Sequence, residues 1–260
     1  MKALVLSGGG AGGAFQVGVL KNIWPSIKDE VGAIYGTSVG ALNGAALHYQ
    51  GLENLETIWR SIKGTSSVLE KNYLFYLGLS HGKYKTGPLK NLIKSIYTIT
   101  PAHPAIEVKV SVVDYVTGDI YYRSQRASNF LDSVLASASV PLDMEPVGTL
   151  VDGGVRDHTP IWQAIRDGYQ KITVICCNPL GRSMQDRNFT PKWPYPISIG
   201  LRCVDILQNE LLYNDIKEAQ GQADIDFYAP TVRIIDTFDY DPKKILLAIE
   251  QGYHTSNCKL

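Results

Sequence analysis

Gly36-Thr37-Ser38-Val39-Gly40 lies between an apolar, strand-like run at residues 31–35 and a helical pattern at residues 39–49. A chain that passes from strand to helix within so few residues must turn sharply. The turn strains its central residue and tolerates only small neighbours, which Gly36 and Gly40 supply. It also fixes the architecture, because a strand that feeds directly into a helix belongs to a mostly parallel sheet. Ser38 is thereby expected at the carboxyl end of that sheet and at a helix N-terminus, whose dipole favours developing negative charge. A hydroxyl held there is a candidate nucleophile. The five-residue motif alone also occurs as an ordinary glycine-rich turn; the strand and helix on either side favour the catalytic reading.

The rest of the chain continues the alternation. Strands are expected at residues 2–7, 31–35, 106–114, 119–123, 171–177 and 232–235, with one ending near 151. Helices are expected at 14–23, where Trp24-Pro25 ends the pattern, and at 39–49, 52–62, 88–97, 128–136, 160–166, 197–218 and 242–251. The strands at 106–114 and 119–123, joined through Thr117-Gly118, read as a hairpin. There is no internal repeat, low-complexity tract or long linker. With 260 residues, 45 % of them apolar, the chain has enough to bury one substantial core, and residues 1–260 are expected to form a single α/β domain with helices on both faces of its sheet.

A second glycine cluster, residues 8–13, precedes the first helix. Gly8, Gly10 and Gly13 match G-x-G-x-x-G, but a dinucleotide fold needs an acidic residue after the second strand, where this chain has Gly36-Thr37-Ser38. A phosphate loop of the Walker type needs Lys-Ser/Thr after the last glycine, where Ala14-Phe15 stand. What remains is a loop of bare backbone N–H groups capping a helix, suited to an anion or to the oxyanion of a tetrahedral intermediate. The serine also requires a base. Asp152-Gly153-Gly154 follows an apolar strand, so its carboxylate is expected at an end of the sheet. Asp157 is the competing carboxylate, and an ordinary turn is the competing explanation of Asp-Gly-Gly.

Composition removes several other classes. Twenty-five basic residues balance 25 acidic ones, which excludes a broad cationic face for nucleic acid and any long-range pull toward an anionic membrane. Cys176, Cys177, Cys203 and Cys258 have neither disulfide-framework nor zinc-ligand spacing, so reduced, mostly buried thiols and a cytoplasmic setting are expected. Residues 3–20 are too interrupted by glycine for a signal peptide, and residues 31–52 too polar and glycine-dense for a membrane span.

Taken together, Leu6-Ser7-Gly8-Gly9-Gly10-Ala11-Gly12-Gly13, Gly36-Thr37-Ser38-Val39-Gly40-Ala41, Ala136-Ser137-Ala138-Ser139-Val140-Pro141 and Val151-Asp152-Gly153-Gly154 resemble, in order and approximate spacing, the patatin-like phospholipases. The similarity is strong over residues 1–160. It implies a three-layer α/β fold and a serine–aspartate dyad, with Ser38 as nucleophile and Asp152 as general base. The amides near Gly9 and Gly10 would form the oxyanion hole, with Gly8, Gly12, Gly13, Gly36, Gly40, Gly153 and Gly154 as motif glycines. It further implies hydrolysis of acyl esters in phospholipids, lysophospholipids or neutral acylglycerols, with no metal or other cofactor. One departure is Gly12, where the family usually has Arg or Lys, which puts preference for an anionic headgroup in doubt.

Two other enzyme or binding readings stand beside it: a triad esterase or thioesterase on soluble acyl substrates, and an inactive lipid-binding module. A triad would require His158 or His254. For the dyad, alanine at either histidine is expected to leave most esterase activity. Contact with a membrane surface is expected to be peripheral, through the aromatic run at residues 72–79 among Lys71, Lys83 and Lys85, or through residues 189–196. The same aromatic run could instead pack beneath the site's rim.

Overall fold

The computed structural model describes residues 1–258 except 78, 98–99, 181–189 and 192–194. The chain opens with β1 (Lys2–Leu6), α1 (Gly13–Ile27), β2 (Val31–Gly36) and α2 (Val39–Ser61). A short arm follows, made of β3 (Glu70–Lys71) and β4 (Tyr84–Lys85), and then α3 (Gly87–Ile96). The middle of the chain holds β5 (Glu107–Asp114), β6 (Ile120–Ser124), α4 (Phe130–Ser137), β7 (Leu150–Asp152) and α5 (Ile161–Arg166). It closes with β8 (Lys171–Ile175), α6 (Tyr195–Ala219), β9 (Asp224–Tyr228) and α7 (Pro242–Tyr253).

The main sheet runs β6-β5-β2-β1-β8-β9, with β7 paired to β5 beyond the end of β2. β5, β2, β1, β8 and β9 are parallel, while β6 and β7 run antiparallel to β5. Alternation along β1 divides the core. Leu4 and Leu6 face the larger apolar cluster, covered by α1, α2, α3, α4 and α7. Ala3 and Val5 face the smaller one, covered by α5 and α6. Burial on both faces explains why the central strands read as continuous apolar runs. The result is the expected mostly parallel, three-layer α/β architecture.

Three expectations about elements are corrected. The helix expected to end at residue 23 continues through Pro25 to Ile27, because Lys28 N–H bonds to Trp24 O and Ser26 Oγ donates to Ile23 O, holding the last turn around the proline. The strand expected at 232–235 is irregular chain. Ile235 lies in the core and Ile234 packs against it, while Val232 is exposed, and the edge strand is Asp224–Tyr228, paired with β8. The helices expected at 39–49 and 52–62 lie end to end as α2, broken by Gly51 at φ 76°. The arm was not anticipated, since two-residue strands leave no period to read. Residues 189 and 192–194 of the proposed second lipid-contacting run lie outside the described residues.

Among the described residues, no helix is long and apolar enough to cross a membrane.

Candidate active site

Ser38 occupies the turn between β2 and α2 with φ 57° and ψ −124°, one of two non-glycine residues at positive φ among the described residues. Such strain persists only where the surroundings over-determine it. Thr37 N–H bonds to Leu6 O, and the Ser38 N–H bonds to Ser137 Oγ at 3.0 Å. Gly40 lies against β1 so closely that a methyl group there would collide with the Leu6 carbonyl oxygen. Gly36, in turn, faces the Gly40 carbonyl. Ser38 is 8 % exposed, with its side chain in the wall of a cavity of about 780 Å³.

β5 brings Asp152 to the same place. Gly36, at the end of β2, pairs with Val110, and Asp152, at the end of β7, pairs with Val112. The two chain ends therefore meet two residues apart along one strand. Asp152 N–H bonds to Ser139 O at 3.0 Å, so residues 137–139 brace both the serine and the aspartate. Gly153 allows this by packing directly on Ser111. Asp152 is 1 % exposed. Its Oδ1 accepts from Gly154 N–H at 2.7 Å, whereas Oδ2 is sealed from solvent and closes no hydrogen bond. Burial pushes the carboxyl up to about 7, opposed by the Ser38 hydroxyl and the Gly154 N–H. Ser38 thus stands near enough to favour the ionised carboxylate without a bond of ordinary length. The open geometry of Oδ2 governs here: the two groups adjoin but are not closed on each other, as is common before substrate binds.

The glycine loop crosses the same cavity. Gly8 N–H bonds to His158 O, Ala11 N–H to Thr237 O and Gly12 N–H to Gly9 O. Between them, the N–H groups of Gly9 and Gly10 have no partner among the described residues, and both glycines line the cavity. Gly10 has φ 55° and lies against the Thr237 carbonyl, so a side chain would be strained and blocked there. Gly12 and Gly13 are buried behind the loop, with Gly12 backed by Cys177 and Gly13 by Val39.

The competing groups separate cleanly. Asp157 donates nothing to the cavity wall. Its Oδ2 accepts a short hydrogen bond of 2.5 Å from Tyr122 OH, and its main-chain oxygen accepts from Thr37 Oγ1. His254 is exposed at the end of α7. His158 does line the cavity, buried, and burial pulls its imidazole down to about 4, so it is neutral. It closes no hydrogen bond with Ser38 or Asp152 among the described residues. The four cysteines are free, with Cys176 and Cys177 buried and Cys203 exposed. No cluster of His, Cys, Asp and Glu among the described residues is arranged to hold a metal ion. Val39, Leu42, Leu69, Leu89, Val140 and Met144 make much of the cavity apolar, while Lys83 and Arg233 enter its wall beside the carboxylates of Asp143 and Asp236, respectively.

Sequence reasoning located Ser38, Asp152 and the glycines but assigned no task to Ser137 or Ser139. Their repeat in Ala136-Ser137-Ala138-Ser139 was visible; the bonds of Ser137 to Ser38, 99 residues away, and of Ser139 to Asp152 were not.

Comparison with known proteins adds three findings. The family model described as patatin-like phospholipase matches residues 4–165, more than half of the chain. No curated protein matches. Among solved structures, VipD from Legionella pneumophila is similar at 13 % identity and a TM-score of 0.44, over 97 % of this chain. The chain spans 65 % of the length of that VipD chain.

Proposed function

The chain belongs to the patatin-like phospholipase family, and from that premise we propose that it is a serine acyl hydrolase of phospholipase A or lysophospholipase type, with Ser38 as nucleophile and Asp152 as general base. The family implies lipid acyl hydrolysis. The observation that carries the finer reading is the meeting of four features on one cavity: the strained serine, a buried carboxylate oxygen and two amides that have no partner among the described residues.

In acylation the Ser38 proton passes to Asp152 Oδ2 as Oγ bonds to the ester carbonyl carbon. The carbonyl oxygen becomes an oxyanion, received by the N–H groups of Gly9 and Gly10, each such donor contributing about 3 kcal/mol. Collapse breaks the bond to the alcohol, which leaves with the proton from Asp152. Water then repeats the sequence on the acyl-serine, releasing the fatty acid and returning the proton to Oγ. An aspartate near its solution pKa is too weak a base for this; burial is what strengthens it.

Lipid is met at a surface. Tyr73 and Leu79 on the arm are 74 % and 71 % exposed, while Lys83 and Tyr84 of the same arm enter the cavity wall. This favours a peripheral contact of the arm with the lipid interface over burial of the aromatic run. Residence in the cytoplasm fits the four free thiols. Gly12 leaves the loop without its usual cation, and the wall's Lys83 sits 3.8 Å from Asp143. The glycine loop therefore supplies no side-chain cation to an anionic headgroup.

Mass-spectrometric product analysis on a mixed panel of phospholipids, lysophospholipids and acylglycerols, wild type against Ser38→Ala, tests the proposal. Free fatty acid and the matching deacylated lipid are expected from the wild type only. Products confined to soluble esters and thioesters would favour the triad-type reading, and no product at all the inactive one.

A further inference from the structure

His158 is the cavity's unassigned chemical group. Its imidazole, 4 % exposed, projects beside the glycine loop, and its main-chain oxygen accepts the Gly8 N–H at 3.0 Å. A methyl group built on Gly8 would stand 3.1 Å from His158 Nε2 and 3.3 Å from Ser38 Cβ, so ring and serine face each other across a bare glycine. The two side chains share no direct hydrogen bond. On the far side of the ring, Nδ1 lies 3.5 Å from Thr159 Oγ1, at the limit of a bond. Nε2 has no protein partner among the described residues, yet it is not one of the atoms sealed from solvent. A buried imidazole with its free nitrogen opening beside a nucleophile is poised for a small polar group that arrives from the cavity.

We propose that His158 is a further catalytic residue, whose Nε2 hydrogen-bonds the oxygen exchanged at the acyl carbon: the leaving alcohol during acylation and the attacking water during deacylation. This rests on the serine hydrolase reading above and adds a role that the dyad does not fill. One position serves both oxygens, because deacylation by water is the chemical reverse of acylation with water in place of the alcohol. No proton is transferred to the ring. Asp152 takes the proton of Ser38, and later of water, and returns it to the departing oxygen, while the neutral imidazole fixes that oxygen's place by a hydrogen bond. The burial that holds His158 neutral keeps it from competing with Asp152 for the proton. The contribution falls most heavily on deacylation, since water, unlike the alcohol of a bound lipid, is held only by its bonds to Asp152 and His158.

The test compares wild type, His158→Ala, His158→Phe and His158→Gln on a p-nitrophenyl ester, followed from the first turnover, alongside the rate of Ser38 labelling by a fluorophosphonate. Phenylalanine keeps the ring's volume without its nitrogens, which preserves packing if the alanine variant does not fold. With Ala or Phe, turnover is expected to fall about 10–100-fold, at or below the low end of the range for a positioned acid–base group, in place of the nearly full activity expected if the dyad acted alone. A burst of about one nitrophenol per site should precede the slow phase, and labelling should stay within about threefold of wild type, since the hydrogen bond lost belongs to the exchanged oxygen. Glutamine, which retains a donor and an acceptor, should recover part of the turnover. Turnover within about threefold of wild type in the folded Phe variant, or labelling that falls in step with turnover, overturns the assignment. Absence of Ser38 labelling in the wild type would instead remove the serine reading itself, and His158's role with it.

Discussion

The carboxyl of Asp152 determines how the site responds to pH. Its folded pKa, pushed up by burial to about 7, lies above the unfolded value near 4. On the proposed mechanism catalysis needs the ionised form, so kcat/KM should rise with pH through about 7, and Asp152→Asn should lose both the limb and the activity. Asp157→Asn should keep the limb, because Asp157 is committed to Tyr122; its loss there would mean the base is misassigned. Stability moves in the opposite direction. Between pH 4 and 7 the native state binds more protons at this site than the unfolded state, so stability falls as pH rises across that window. Above pH 7 the Asn variant should accordingly be more stable than wild type, on the order of 1–3 kcal/mol, the usual cost of a poorly paired buried polar group. Denaturant melts at pH 5 and pH 8 check this: the gain should be clearly larger at the higher pH. Ser38 and Asp152 were legible in the sequence because strain and close approach demand glycines beside them. His158 was legible as a candidate but not in its position, since nothing local says that its ring reaches across Gly8.

At the scale of elements, β5 is what turns two remote motifs into one site. Pairing Gly36 with Val110 and Asp152 with Val112 is a property of register, and register requires partners that a single strand pattern does not name. The long strands and helices could be read from periodicity. The three-residue β7 could be read only as the end of an apolar run, and the strand expected at 232–235 was placed wrongly because apolar residues that pack a loop look like those that pair a strand. Two variants probe the elements around the turn. Gly40→Ala drives a methyl group into the β1 backbone and should cost about 1–3 kcal/mol, the range for overpacking, together with most of the activity. Thermal denaturation and ester turnover read both. Ser137→Ala removes the acceptor of the Ser38 N–H, and should cost about 1 kcal/mol of stability while lowering turnover about tenfold. Unchanged turnover in a folded Ser137→Ala protein would show that α4 does not brace the nucleophile.

For the molecule as a whole, the sheet brings Ser38, Asp152 and the amides of Gly9 and Gly10 to a cavity whose wall also includes Lys83 and Tyr84 of an exposed aromatic arm. Replacing Tyr73 and Leu79 by serine should weaken cosedimentation with zwitterionic liposomes several-fold while leaving turnover of a monomeric ester unchanged, since neither residue lines the cavity. Unaltered liposome binding would move the contact elsewhere. The α/β class and the main sheet were legible from the alternation of apolar runs with amphipathic helices; the arm's two-stranded sheet was not, because its strands have only two residues each and their pairing is set by tertiary contact. Mapping the covalent adduct of a fluorophosphonate on the folded protein tests the central claim most directly. The adduct should be found on Ser38, be absent in Ser38→Ala and form at least about 100-fold more slowly in Asp152→Asn, as expected when a nucleophile loses its base. An adduct on another serine, or undiminished labelling of the Asn variant, would contradict it.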